Sequence, residues 1–226
     1  MKSRGSKLVC FAVLLLSCVP SSFAQSPASE ASPGDGQGAT LTFRKIFKSS
    51  YPEFAEIKVN EDGSGTYDIR QLDDTSSPQP MQIGPALAHK MFELAAELHN
   101  FNGIDLDVHR RIADLGQKTF GYQKGSEKFQ VTFNYTLNSA ANQLLAIFDG
   151  LQRQELDLSD LVRTMHYDHL GVNDVITRVQ QDVKNKLLPE PEALLPTLDQ
   201  VAANEELVDI ARQRARAIAE QIRSHQ

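Results

Sequence analysis

From Thr40 onward the chain alternates apolar and polar residues in short runs, then changes to a helical period. Leu41 and Phe43, followed by Ile46 and Phe47, predict a first strand with an imperfect alternation. Phe54, Ile57 and Val59 predict a second, after the turn at Ser49-Ser50-Tyr51-Pro52. Asn60 to Gly65 (NEDGSG) signals a hairpin, because Asp-Gly readily supplies a positive φ. Thr66 to Arg70 forms the return strand, and Asp73 to Gln82, with Pro78 and Pro80, reads as a loop. Pro85 suits a first helical position, and Leu87, Met91, Leu94 and Leu98 follow as the stripe of a helix laid on a sheet. Asn100 to Gly103 ends it, and residues 105 to 115 fit either a short helix or an extended connection. Thr119 to Tyr122 and the clean alternation Phe129, Val131, Phe133 predict a second hairpin, with those three phenylalanine and valine side chains facing the helices.

Asn138 is placed to cap a second helix carrying Ala141, Leu144, Leu145, Phe148 and Leu151. From Asp157 strand signals vanish. Separate helical stripes run through Leu158, Leu161, Val162 and Met165, through Val172, Val175, Ile176, Val179 and Val183, and through Leu207, Ala211, Ala215, Ile218 and Ile222. The fold expected is α+β: an antiparallel sheet of four to five strands in ββαββα order with helices on one face, then an all-helical extension. The boundaries expected are a sheet domain over 40–153 and an extension over 154–226 packed on it.

The N-terminus changes the setting. Lys2, Arg4 and Lys7 precede the apolar run Leu8 to Leu16, and Ser22-Phe23-Ala24 offers small residues for cleavage, so residues 1–24 read as an export signal. Residues 25–39, small and polar with Pro and Gly, read as a flexible spacer. Cys10 and Cys18 are the only cysteines, so the mature chain expected has no disulfide or thiolate chemistry. The expected location is periplasmic or secreted. Lipidation at Cys18 and an uncleaved anchor are the alternatives, the apolar run being shorter than the roughly 20 residues of a membrane span.

Formal net charge is −6, and the signal holds three basic and no acidic residues, so the mature chain stands at −9. Such a charge is repelled by phosphate backbones, which argues against nucleic acid as a partner. Tryptophan is absent and aromatics make up 7% of the chain, so stacking platforms are few.

Two clusters carry metal-compatible chemistry. Asp105, Asp107 and His109 alternate, so an extended backbone puts three potential ligands on one face. The plainer reading is a polar connector neutralised by Arg110 and Arg111. His166 and His169 fall at i and i+3 around Asp168, without the Glu of a His-Glu-x-x-His site. His169 also continues an apolar stripe, which fits a buried, hydrogen-bonded histidine. Asn134-Tyr135-Thr136 is a glycosylation sequon in form only, placed where a strand ends. Arg212, Arg216 and Arg223 share a helix face that Glu205, Glu206 and Glu220 are expected to pair. No phosphate loop, dinucleotide fingerprint or nucleophile elbow occurs, and neither a catalytic residue nor a cofactor is assigned.

With Pro52, Asp62, Gly63 and Tyr67 in view, residues 41–153 resemble a family of uncharacterised bacterial exported domains of unknown function. That resemblance implies an exported compartment and the ββαββα order, and no activity. Phe47 and Tyr51 stand where that family carries cysteines, so a role tied to those cysteines does not transfer. The function expected is a non-enzymatic interaction module that meets another envelope protein. The alternatives are a metal-dependent hydrolase built on the two clusters above and a small-ligand carrier with a pocket between sheet and tail.

Overall fold

A computed structural model describes residues 38–48 and 50–224. The export signal and most of the expected spacer lie outside the described residues. Ala39, the last residue of the expected spacer, is buried, and its carbonyl accepts a hydrogen bond from Glu61 N at 3.2 Å.

Six antiparallel strands form one sheet in the order β4-β3-β2-β1-β5-β6. They are β1 (Thr40–Ile46), β2 (Phe54–Asn60), β3 (Ser64–Arg70), β4 (Gln79–Gln82), β5 (Gln117–Lys124) and β6 (Glu127–Phe133). β1 is central, and Phe43 sits in register with Ile57 on one side and Phe120 on the other. The sixth strand, β4, falls where the two prolines predict a loop. Among the described residues it pairs only with β3, as an edge strand, and an edge tolerates Pro80 because a missing N–H on the open side breaks no ladder bond. The β2–β3 turn needs its glycine: Gly63 has φ +82°, and a Cβ there would lie 2.4 Å from the Ile83 carbonyl oxygen.

Alternation gives the sheet one apolar face, and two helices cover it. Helix α1 (Pro85–Glu97) contributes Met91 and Leu94, and α2 (Ser139–Tyr167) contributes Leu144, Phe148 and Leu151. Phe148 stacks on Phe43 with ring centroids 5.0 Å apart, while Phe120 meets Phe133 at 5.2 Å and Phe101 at 5.4 Å. Val131 and Phe133 are buried against this cluster and Phe129 is half-buried at its edge. After α1 the backbone turns through three successive residues with positive φ, His99, Asn100 and Phe101, which delivers the Phe101 ring to the core. Residues 102–116 then run without helix, which resolves the ambiguous connection as irregular chain.

Helix α2 starts as expected, with the Asn138 side chain accepting from Ala141 N at 3.0 Å. It does not stop near residue 154. It continues unbroken for 29 residues, so the expected boundary at 153/154 falls inside one helix. Its first half covers the sheet. Its second half joins α3 (Val172–Lys184), α4 (Leu195–Ala203) and α5 (Asp209–Ser224) around a second apolar core. The stripe Leu207, Ala211, Ala215, Ile218 and Ile222 is buried in that core. The α5 helix packs chiefly on α3 and α4, which supply its cover. Among the described residues no helix is long and apolar enough to cross a membrane.

Candidate functional site

The structure brings Asp105, Asp107 and His109 together on the irregular segment before β5. His109 Nε2 lies 2.6 Å from Asp105 Oδ2, and Nδ1 lies 3.5 Å from Asp107 Oδ2. Both imidazole nitrogens therefore face carboxylates of the same loop. The Asp105 hydrogen bond raises the proton affinity of His109, and in return holds Asp105 below the carboxylate range. Asp107 also lies low, because its Oδ1 accepts from the backbone N–H groups of Asn134 and Tyr135 at 2.9 and 3.3 Å. The cluster ties this loop to the end of β6. The Asn134 side chain joins the same tie, accepting from Leu115 N at 2.8 Å and donating to the Ala113 carbonyl at 3.0 Å.

His166 and His169 stand elsewhere, at the C-terminal end of α2 and beyond it. The helix ends at Tyr167, so His169 lies in the following turn and not on the apolar stripe. It is half-buried, with Nε2 4.0 Å from Glu206, and the expected buried hydrogen-bonded histidine is corrected accordingly. Val162, expected on the same stripe, is 45% exposed, and His166 Nδ1 lies 2.7 Å from the Val162 carbonyl. Among the described residues no group of three or more His, Cys, Asp or Glu side chains is arranged to hold a metal ion. Of the three α5 arginines expected on one face, Arg212 pairs with Asp209 and Arg223 with Asp199 at 2.6 Å, while Arg216 donates to the Ala202 carbonyl. Aspartates thus take the place of the glutamates expected.

The most structured polar site is one the sequence reading passed over. A cleft of about 320 Å³ opens where the end of β1, the turn at Tyr51-Pro52 and helices α2 and α3 meet. On α2, positions 149, 152, 153, 156, 157 and 160 follow the i, i+3, i+4 spacing and share the face that lines it. Lys45 Nζ binds Asp149 at 3.0 Å. From α3, Arg178 reaches Asp157 Oδ1 through Nε and Asp160 Oδ2 through Nη2, both at 2.8 Å. One turn away, Arg153 faces Asp182 at 3.4 Å. The antiparallel helix pair is thus laced by reciprocal arginine–aspartate bonds.

Burial makes the site unusual. The Asp157 side chain is 1% exposed, and only one of its oxygens is bonded. No donor among the described residues reaches Asp157 Oδ2, and the same is true of Gln152 Oε1 on the cleft and Asp182 Oδ2 behind it. Loss of hydration pushes the Asp157 carboxyl up to about 6, with Arg178 opposing the rise. Two residues earlier, burial pushes Glu155 up to about 7. The sequence signal for this site was an acidic and basic pattern at helical spacing, Asp149, Arg153, Asp157, Asp160. A boundary at 153/154 splits that face between two elements, whereas the structure runs it along one helix.

No protein-family model matches the chain, and no curated protein matches it in sequence.

Proposed function

We propose that the protein is an exported, non-enzymatic binding module of the cell envelope, and that the cleft between β1, α2 and α3 is where it holds another envelope protein. The observation that carries this reading is the buried Asp157 carboxylate, anchored by Arg178 on one oxygen and left with capacity on the other. A buried acceptor without a donor is costly, and a group supplied from outside relieves that cost. Tyr51, 79% exposed at the rim, offers an aromatic contact of the kind that anchors interfaces. Export is supported by the basic and apolar pattern of residues 1–24 and by the resemblance of residues 41–153 to exported domains.

Replacement of Tyr51 by a photoreactive p-benzoylphenylalanine in the exporting cell tests the reading. One reproducible protein adduct is expected from that position and none from Thr42, which lies on the polar face of the sheet. Equal adducts from both positions, or none from Tyr51, would contradict it.

A further inference from the structure

The helices cover one face of the sheet, and the other face carries a glycine that the fold does not require. Gly121 lies inside β5, between β1 and β6. The register runs through it without a bulge, opposite Thr42 on one side and Gln130 on the other, and its φ is not positive. A Cβ there would stand 3.5 Å from Thr42 Cβ and 3.8 Å from the Phe129 carbonyl oxygen, which are ordinary contact distances. Glycine weakens a strand interior, so one without a bend, a bulge or a crowding neighbour leaves room for a group from outside the chain.

The side chains around that room are cationic and hydrogen-bonding. Arg44, Lys58, Gln123, Lys128 and Gln130, all exposed, line a hollow of about 200 Å³ over the glycine. Glu56 takes Arg44 Nε on one oxygen at 2.8 Å and Lys58 Nζ on the other at 2.9 Å, so a single carboxylate fixes two cations in place. The side chains of Lys128, Gln123 and Gln130 have no partner among the described residues. Cross-strand partners share a face, so this one carries Arg44, Lys58, Arg70 and Lys128 against Glu56 and Asp68, on a chain of net charge −6. An anion is drawn to such a surface.

The lining narrows its chemistry. Tyr122 and Phe129 also border the hollow, but they pair with each other and pack toward the core on the opposite face. The hollow therefore offers no aromatic or aliphatic anchor of the kind a protein interface is built around, and no ring for a base to stack on. A simple oxyanion would use the cations and leave the amides idle. A carboxylate with hydroxyl groups beside it uses both, since amides and threonine hydroxyls donate and accept. The volume lies below the roughly 300–1,000 Å³ of sites for drug-sized ligands, which suits one sugar unit.

We propose that the hollow over Gly121 binds a sugar acid, a single hexuronate unit whose carboxylate is held by the cations and whose hydroxyls bond Thr42, Gln123 and Gln130. This site stands apart from the cleft, and a saccharide occupant agrees with the absence of a protein adduct expected at Thr42.

Titration of the ¹⁵N-labelled protein with D-glucuronate is the test, with acetate and methyl β-D-glucoside as controls at matched ionic strength. Saturable shifts of amides in residues 42–44, 119–123 and 128–130 are expected with glucuronate alone. Acetate keeps the charge without the hydroxyls, and the glucoside keeps the hydroxyls without the charge. An equal response to either overturns the inference, as does the absence of a saturable response to glucuronate. Gly121→Val fills the hollow and is expected to weaken binding at least about tenfold while the melting temperature holds or rises. Undiminished affinity in that variant overturns the inference. Lys128→Gln, an exposed change outside any ion pair, is expected to weaken binding about threefold. Unchanged affinity there counts against the inference even where Gly121→Val fails to fold. Glucuronate binding without a Tyr51 adduct leaves this inference standing and contradicts the reading of the cleft, and the reverse pair of results does the opposite.

Discussion

At the scale of single residues, three groups sit where their charge is expensive: Lys118, Glu155 and Asp157. Lys118 is buried beneath the loop that precedes β5, and burial lowers its proton affinity while three carbonyls hold the ammonium in place. Lys118→Met removes the donor and strands three acceptors. A loss of about 2–4 kcal/mol is expected in denaturant melts, and a loss under about 1 kcal/mol would show that water replaces the ammonium at little cost. Glu155 and Asp157, raised to about 7 and about 6, bind protons more tightly in the folded chain than in the unfolded one, where carboxyls titrate near 4. Their contribution is full below about pH 4 and is lost as pH rises through about 6 to 7, so stability should fall across that window. His109, raised by Asp105, acts in the same direction from about pH 6.5 upward. In Glu56, Asp68 and Asp160 burial is outweighed by hydrogen bonds from Lys58 and Arg44, from Ser76 and Arg70, and from Arg163 and Arg178. These three lose their contribution only as pH falls below about 4. Glu155→Gln should therefore flatten the fall in melting temperature between about pH 5 and 8, and an unchanged slope in that variant would refute the assignment.

Among the elements, what could be read from the chain was what local chemistry determines. The Asn138 cap, the Gly63 turn and the alternation of Val131 and Phe133 each depend on residues within a few positions of one another. The fourth strand and the length of α2 do not. β4 exists because β3 offers it an unpaired edge, and α2 passes residue 154 because a second core waits for its far half. The cleft was illegible for the same reason, since its α2 face became visible only as one helix. Gly150 marks the crossing between the two halves. A Cβ there would stand 2.8 Å from the Leu187 carbonyl oxygen and 2.9 Å from Pro189 Cδ. Helix propensity alone favours Ala over Gly by about 1 kcal/mol. Gly150→Ala is nonetheless expected to destabilise by about 1–3 kcal/mol, because backbone and a proline ring cannot yield as a flexible side chain does. A gain in melting temperature would show that the 187–189 segment moves aside freely.

Across the molecule, two apolar cores share one helix, and short polar ties join them beside it. Glu190 accepts from Gly84 N at the start of α1 at 2.7 Å, and Glu190 N donates to Gln154 on α2. Unfolding should then be a single transition. Ending the chain after Leu188 strips α4 and α5 from the second core and exposes the apolar face of α3. The shortened chain is expected to melt at a lower temperature as a whole, and an unchanged melting temperature for the sheet would show two independent cores.

The account turns on Asp157, a buried carboxylate with one oxygen held and one in reserve. Its side-chain carboxyl ¹³C resonance, followed by NMR from acid to neutral pH, reads that state directly. Titration near 6 is the expected result, since burial outweighs the Arg178 hydrogen bond. Titration in the ordinary range near 4 would place Asp157 in water, and both the cleft and its proposed occupant would lose their foundation.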